Sequence, residues 1–189
     1  MDIWNLPTKL HINGNDWEIR TDFRVILDIL TAISDPDLDD EDRWLICLMI
    51  LIVDFDNLPR ADYEEACKQA KEFIDMGLGD NENDKRKKPR TMDWEQDAQL
   101  IIPAVNRVMG KEVRAEQYLH WWTFLSAYME IGECNYTHIL NIRNKKIKGK
   151  KLEKWEQEFI RENSDLVNLK KKLSAEEIEE KKLVEELFG

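Results

Sequence analysis

Glycine and proline are scarce in this chain, 7 and 5 among 189 residues. A loop-rich all-β fold needs more turn residues than that, so the class is disfavoured. Cysteine is scarcer still. Cys47, Cys67 and Cys134 stand far apart with no CxxC pair, which suits a reducing compartment and argues against a disulfide framework. Long apolar runs are missing as well. The longest, WLICLMILIV at Trp44–Val53, falls well short of the roughly 20 residues a bilayer crossing needs and reads as a helix buried on all sides. The opening MDIWNLPTKL has no basic stretch leading into an apolar one, so no secretory signal is expected. Positive charge is in deficit. A net charge of −11 disfavours a general nucleic-acid or anionic-membrane binder. P-loop, GxGxxG, GxSxG and HExxH motifs are all absent. Asp35, Asp37 and Asp39 start like a calcium loop, but Asp40 and Ile46 stand where its glycine and its last carboxylate belong. Asp80, Glu82 and Asp84 fail in the same way, with Lys85 and Thr91 at those places.

What is present is a foldable composition, 42% hydrophobic and 35% charged, in a chain long enough to bury roughly 70% of its unfolded surface. Charge is unevenly spread. Residues 1–84 hold 7 Lys and Arg against 21 Asp and Glu, net −14, whereas residues 85–189 are net +3. The seam lies in GLGDNENDKRKKPR, which reads as a charged linker or surface loop. The expected organisation is a hairpin plus acidic helical half at 1–76, a linker at 77–91, a helical half at 92–163 and an amphipathic helical tail at 164–189.

Leu10, Ile12, Trp17 and Ile19 alternate around Asn13-Gly14, a strong signal for a hairpin over residues 8–20. Helical spacing dominates afterwards. Asp22 is placed to cap a helix over 23–33, with Phe23, Ile26, Leu27 and Leu30 on one face and Asp35-Pro36 at its end. Asp39 to Asp42 open the next helix, where acidic residues suit the dipole. Asp62 and Glu65 match a capping box for a helix over 63–76, stopped by Gly77. Asp93 and Gln96 open another toward Met109 and Gly110, which Pro103 should kink or split. Tyr118, Trp121, Trp122, Leu125, Tyr128 and Met129 form one apolar stripe on a helix over 115–131, and most of that stripe is expected in the core. A helix over 136–146 and a long one from about Leu152 follow. Together these describe a mainly α, multi-helix domain with a short N-terminal β-hairpin and a helical C-terminal tail.

Chemistry-bearing groups are few. Cys134 and His138 lie four apart and, with His120, supply three possible zinc ligands or a Cys/His pair, but no fourth ligand stands at a familiar spacing. A cysteine among helix-packing aromatics is more simply a small buried hydrophobe. Arg143, Lys145, Lys146, Lys148, Lys150, Lys151 and Lys154 form a basic run beside Trp155, with Glu153 its single acid. That run reads either as a phosphate patch or as a cationic helix end complementing the acidic half, within one chain or between copies. Head-to-tail pairing of that kind makes self-association expected.

The strings HWWTFLSAYMEIGE at 120–133 and ILNIRNKKIKGKKLEKWEQEF at 139–159, then LVNLKKK, resemble the gene-product-15 family of tail-region proteins from long-tailed phages and prophages of Gram-positive bacteria. The hairpin followed by DFRVILDIL and WLICLMILIV is similar to the same family. The resemblance implies a tail assembly chaperone that binds the tape-measure protein in the host cytoplasm, with the major tail-tube protein a possible second partner. It carries over no catalytic residue, and no metal or cofactor is expected. The alternative is a structural tail or connector component of the virion.

Ser174 and Glu177 match a capping box, and beyond them Leu183, Val184, Leu187 and Phe188 fall on one helical face. A helix of about 15 residues is marginal alone, so this tail is expected to bury that face on a partner. Arg143, Lys145, Lys146 and Lys148 are the other expected partner contacts.

Overall fold

Asn13 and Gly14 both take positive φ, 46° and 87°, the geometry that turns a two-residue hairpin with the natural twist of its strands. They join β1 (Lys9–Ile12) to β2 (Asn15–Glu18) in antiparallel register, with Leu10 opposite Trp17. The computed structural model describes residues 4–79 and 89–179. Leu10 and Ile12 point inward and are fully buried, which supplies the packing an isolated hairpin lacks.

The remainder is mainly α: α1 (Phe23–Ala32), α2 (Asp40–Leu51), α3 (Tyr63–Ile74), α4 (Ala98–Met109), α5 (Trp121–Met129), α6 (Asn135–Ile147), α7 (Lys154–Glu162) and α8 (Ser164–Val167). The hairpin is sewn to the end of α2. Ile19 bridges Ile52, the Arg20 amide donates to Leu51 O at 2.8 Å, and the Arg20 guanidinium donates to Ile50 O and Ile52 O at 2.7 and 3.0 Å. A cation on the last carbonyls satisfies a helix C-terminus and its dipole together. Asp22 and Asp39 cap α1 and α2 as their positions predict. Residues on both sides of the charge seam, from Leu10 to Tyr136, share one hydrophobic core.

Several elements depart from the sequence pattern. The helix expected over 115–131 starts only at Trp121. Leu119 and His120 run extended instead, His120 bridging Asp22: the Phe23 amide donates to Leu119 O at 2.9 Å and the Trp121 amide to Thr21 O at 2.7 Å. That bridge makes α1 and α5 start side by side, and Phe23 stacks on Phe124 at 4.6 Å. The buried face of α5 is accordingly Trp121, Trp122, Phe124 and Ala127, while Tyr118 and Met129 are exposed. The two indoles both cap α3, Trp121 donating to Ile74 O and Trp122 to Phe73 O, each at 2.8 Å. α2 is buried on one face only, with Met49 about half exposed, as is Val53 just beyond its end. Asp62 caps nothing. It ends a 3-10 turn, Arg60–Asp62, and accepts from Asn13 Nδ2 at 2.7 Å, tying the hairpin turn to the start of α3. Asp93 caps the turn before α4, and α4 runs through Pro103 without splitting. The long helix expected from Leu152 is two short ones, broken at Asn163.

Candidate functional site

The basic run divides by depth. Arg143 is 4% exposed and faces inward from α6. Its Nη1 and Nη2 donate to Asp97 Oδ2 and Oδ1 at 2.7 and 2.8 Å. Nε donates to Val167 O, Nη2 to Leu166 O and Nη1 to Thr91 O. All five donors of the guanidinium fork are thereby used. Arg143 is a buried staple joining α4, α6 and α8, which corrects its expected place on a partner-binding surface. Lys145 is pulled against Glu156, Nζ to Oε1 at 2.7 Å. Glu156 also accepts the Glu153 amide at the start of α7, and the Lys145 hydrogen bond holds its carboxyl below the usual carboxylate range. Lys146 donates to Asn168 Oδ1 at 2.6 Å.

Lys148 and Lys150 remain exposed. With Lys145, Asn141, Asn144 and Trp155 they line an open cleft of about 350 Å³. Trp155 is half exposed and meets His138 edge-on at 6.3 Å. The cleft presents ammonium groups, amides, one aromatic face and the carboxylate of Glu156, which Lys145 neutralises; Lys148 and Lys150 leave it a set suited to an acidic protein segment. Leu183, Val184, Leu187 and Phe188 lie outside the described residues.

A larger depression, about 630 Å³, opens between the C-terminal ends of α3 and α4 and one face of α5 along its whole length. Its walls are Met76, Val108, Met109, Trp122 and Ala127, with Leu6 at the entrance and Glu130 and Ser126 at the rim. Leu6 and Val108 are exposed. Methionine is unbranched and polarizable, so a surface that carries it moulds to varied apolar partners. Sequence reading missed this groove. The one available signal is that Met76 and Met109 each precede a glycine at which a helix stops, Gly77 and Gly110, both at positive φ.

The cysteine and histidine candidates serve the fold. Cys134 begins α6, its amide donating to Thr137 Oγ1. Burial pushes the Cys47 thiol up to about 12. Among the described residues no group of three or more His, Cys, Asp or Glu is arranged to hold a metal ion. His120 is buried. Its Nδ1 accepts the Trp122 amide at 3.0 Å, capping α5, so Nε2 carries the proton that goes to Pro7 O at 2.9 Å. That pairing requires neutral imidazole, and burial lowers the His120 pKa. With the folded value below the unfolded one, the stabilisation is present above about pH 6.5 and is lost as pH falls toward the folded value. Urea unfolding of the wild-type chain is expected to show this loss as pH falls below about 6.5. A His120→Asn chain, which keeps a capping group, is expected to lack it; equal slopes in the two chains would remove His120 as the cause.

These elements define a mainly α-helical domain around one shared core, with an apolar groove and a cationic cleft open at its surface. Among the described residues no helix is long and apolar enough to cross a membrane. The domain is a bacteriophage one: the chain belongs to the Bacteriophage Gp15 protein family, whose model matches residues 4–169. No curated protein and no solved structure matches it. The family match ends just beyond α8 and therefore takes in both the groove and the cleft.

Proposed function

We propose that this Gp15-family chain is a non-catalytic tail assembly chaperone that binds the tape-measure protein of its phage in the host cytoplasm. The observation that carries the reading is the methionine-flanked groove between the ends of α3 and α4 and the face of α5. It is apolar, open, and bordered by exposed Leu6 and Val108, the form that accepts the apolar face of a client helix. A net charge of −11 keeps the complex in solution while the client's apolar surface is covered. The cationic cleft at Lys148, Lys150 and Trp155 supplies a second contact, to an acidic stretch of the client, of the tail-tube protein, or of the −14 half of another copy.

Val108→Asp places a charge on the groove wall at an exposed position, so stability should change by no more than about 0.5 kcal/mol. Co-expressed with the tape-measure protein, the variant is expected to recover roughly tenfold less soluble client than wild type, the equivalent of about 1.4 kcal/mol of binding. An unchanged yield from a folded variant would exclude the groove as the client site. A virion component, by contrast, would leave client solubility untouched and appear in finished particles.

A further inference from the structure

Ten consecutive apolar residues, Trp44–Val53, form the body and end of α2. A helix apolar on every side is normally covered on every side, yet α2 is covered on one. Cys47, Leu48 and Leu51 are buried, where α2 packs on α1 and α3. The opposite face carries Asp42, Leu45, Ile46 and Met49, at helical offsets 0, 3, 4 and 7. Leu45 and Ile46 are half-buried and Met49 is 53% exposed, and none of the three belongs to the core cluster or packs against it. Leu45 also borders a hollow of about 560 Å³ between α2 and α3, lined by Trp44, Leu48, Tyr63 and Cys67.

This apolar face has an acidic rim. Asp40, Glu41 and Asp42 precede it, Asp54 and Asp56 follow it, and all five are exposed. The two cations at the ends of the helix are committed, Arg43 Nη1 to Asp40 Oδ1 at 2.9 Å and Arg20 to Ile50 O and Ile52 O. Glu41, Asp42 and Asp56 have no ion pair among the described residues. The complementary surface lies on the same chain, where α6 gives way to α7. Ile147 and Trp155 are 42% and 53% exposed. Lys148, Lys150, Lys151 and Lys154 stand exposed between them, again with no ion pair among the described residues. α6 packs on α4 and α8, and α7 on α8. Both surfaces are exposed, so neither covers the other within one molecule.

We propose that the outer face of α2 docks on the Ile147–Trp155 surface of a second copy of this chain. The contact is head to tail: apolar side chains meet apolar ones, and the acidic rim meets the lysines. It commits the cationic cleft of the proposed function to one occupant and rests on that assignment, not on the groove. Pairing α2 with itself about a two-fold axis would set Glu41 and Asp42 of two acidic halves, each net −14, against one another, and like charge opposes that contact. Residues 147–155 supply instead the basic-flanked apolar surface that α2 fits, and every solution of the protein contains both in equal amount. Because the two surfaces differ, each docked copy leaves one of each free, and the contact propagates into rings or filaments.

The test is sedimentation velocity on the full-length chain. Wild type is expected to form assemblies that grow with protein concentration and shrink as salt is raised, since the rim contacts are screened. Met49→Asp puts a charge in the α2 face, and the double variant Lys148→Glu, Lys150→Glu reverses the other surface. Each variant alone is expected to associate at least about tenfold more weakly than wild type. Mixed in equal amounts, they are expected to form a complex of two chains and no larger, because one intact copy of each surface remains. Circular dichroism checks that each variant keeps its fold, and Met49→Gln replaces Met49→Asp if that chain does not. The proposal is overturned if wild type stays a monomer at every concentration and salt, or if the mixture of folded variants does. It is also overturned if the lysine variant alone assembles as wild type does, which would mean that α2 pairs with itself, or if the Met49 variant alone does so. Client recovery with Val108→Asp reads the groove and is independent of all these outcomes.

Discussion

Replacing Arg143 by Ala is expected to cost about 3–5 kcal/mol, the loss that follows when one member of a buried ion pair is removed. Asp97 would be left 1% exposed with its bidentate partner gone, and Val167 O, Leu166 O and Thr91 O would lose their donors together. Chemical denaturation of the variant measures the loss, and the C-terminal segment around α8 should become protease-sensitive first, because it is held to α6 through those carbonyls. Replacing the pair together, Arg143→Met with Asp97→Leu, should cost less than the single substitution, since no unpaired charge remains inside. A single-variant loss below about 1 kcal/mol would put Arg143 back at the surface, where it could serve a partner.

Trp121→Ala is expected to cost a similar 3–5 kcal/mol. The side chain is 1% exposed, packs against Phe124 and Trp94, and donates to Ile74 O at the end of α3. Truncation therefore opens a cavity and removes the donor from a buried carbonyl in one step. Met129→Ala supplies the contrast. The position belongs to the same apolar stripe in sequence, yet it is more than half exposed, and the change should stay within about 0.5 kcal/mol. Equal losses at Trp121 and Met129 would show that α5 buries the face its sequence periodicity suggests, rather than the face set by the bridge to residues 21–23.

The features legible in sequence are those whose partners are close along the chain. Asn13-Gly14 gives the hairpin, Asp22 and Asp39 the first two helix starts, and Ser174 with Glu177 the last. Each rests on contacts made within a few residues. The features that escaped are set by distant partners. The start of α5 is decided by pairing with Thr21 and Phe23, far away in sequence, and the role of Arg143 by Asp97, 46 residues off. Arg143 has the same charge as its lysine neighbours, so composition placed it with them, whereas only a planar fork with five donors fits the interior. The apolar groove was invisible for another reason. Its walls combine the ends of two helices with a face of α5 that mixes Trp122 and Ala127 with Thr123, Ser126 and Glu130, so no apolar stripe marks it, and a methionine before a helix-stopping glycine looks like ordinary packing. Family resemblance, carried by the WWTF-to-KWEQEF region, reached the phage context that residue chemistry alone did not.

The chaperone reading stands or falls on when the chain is bound to the tape-measure protein. Quantitative mass spectrometry, following peptides of this chain through tail assembly in phage-producing cells, measures that directly. The expected result is a complex in which the chain accompanies the tape-measure protein before the tube closes, and finished particles from which it is gone. A fixed stoichiometry of this chain in purified virions, with no tape-measure complex beforehand, would contradict it and make the protein a structural component of the tail.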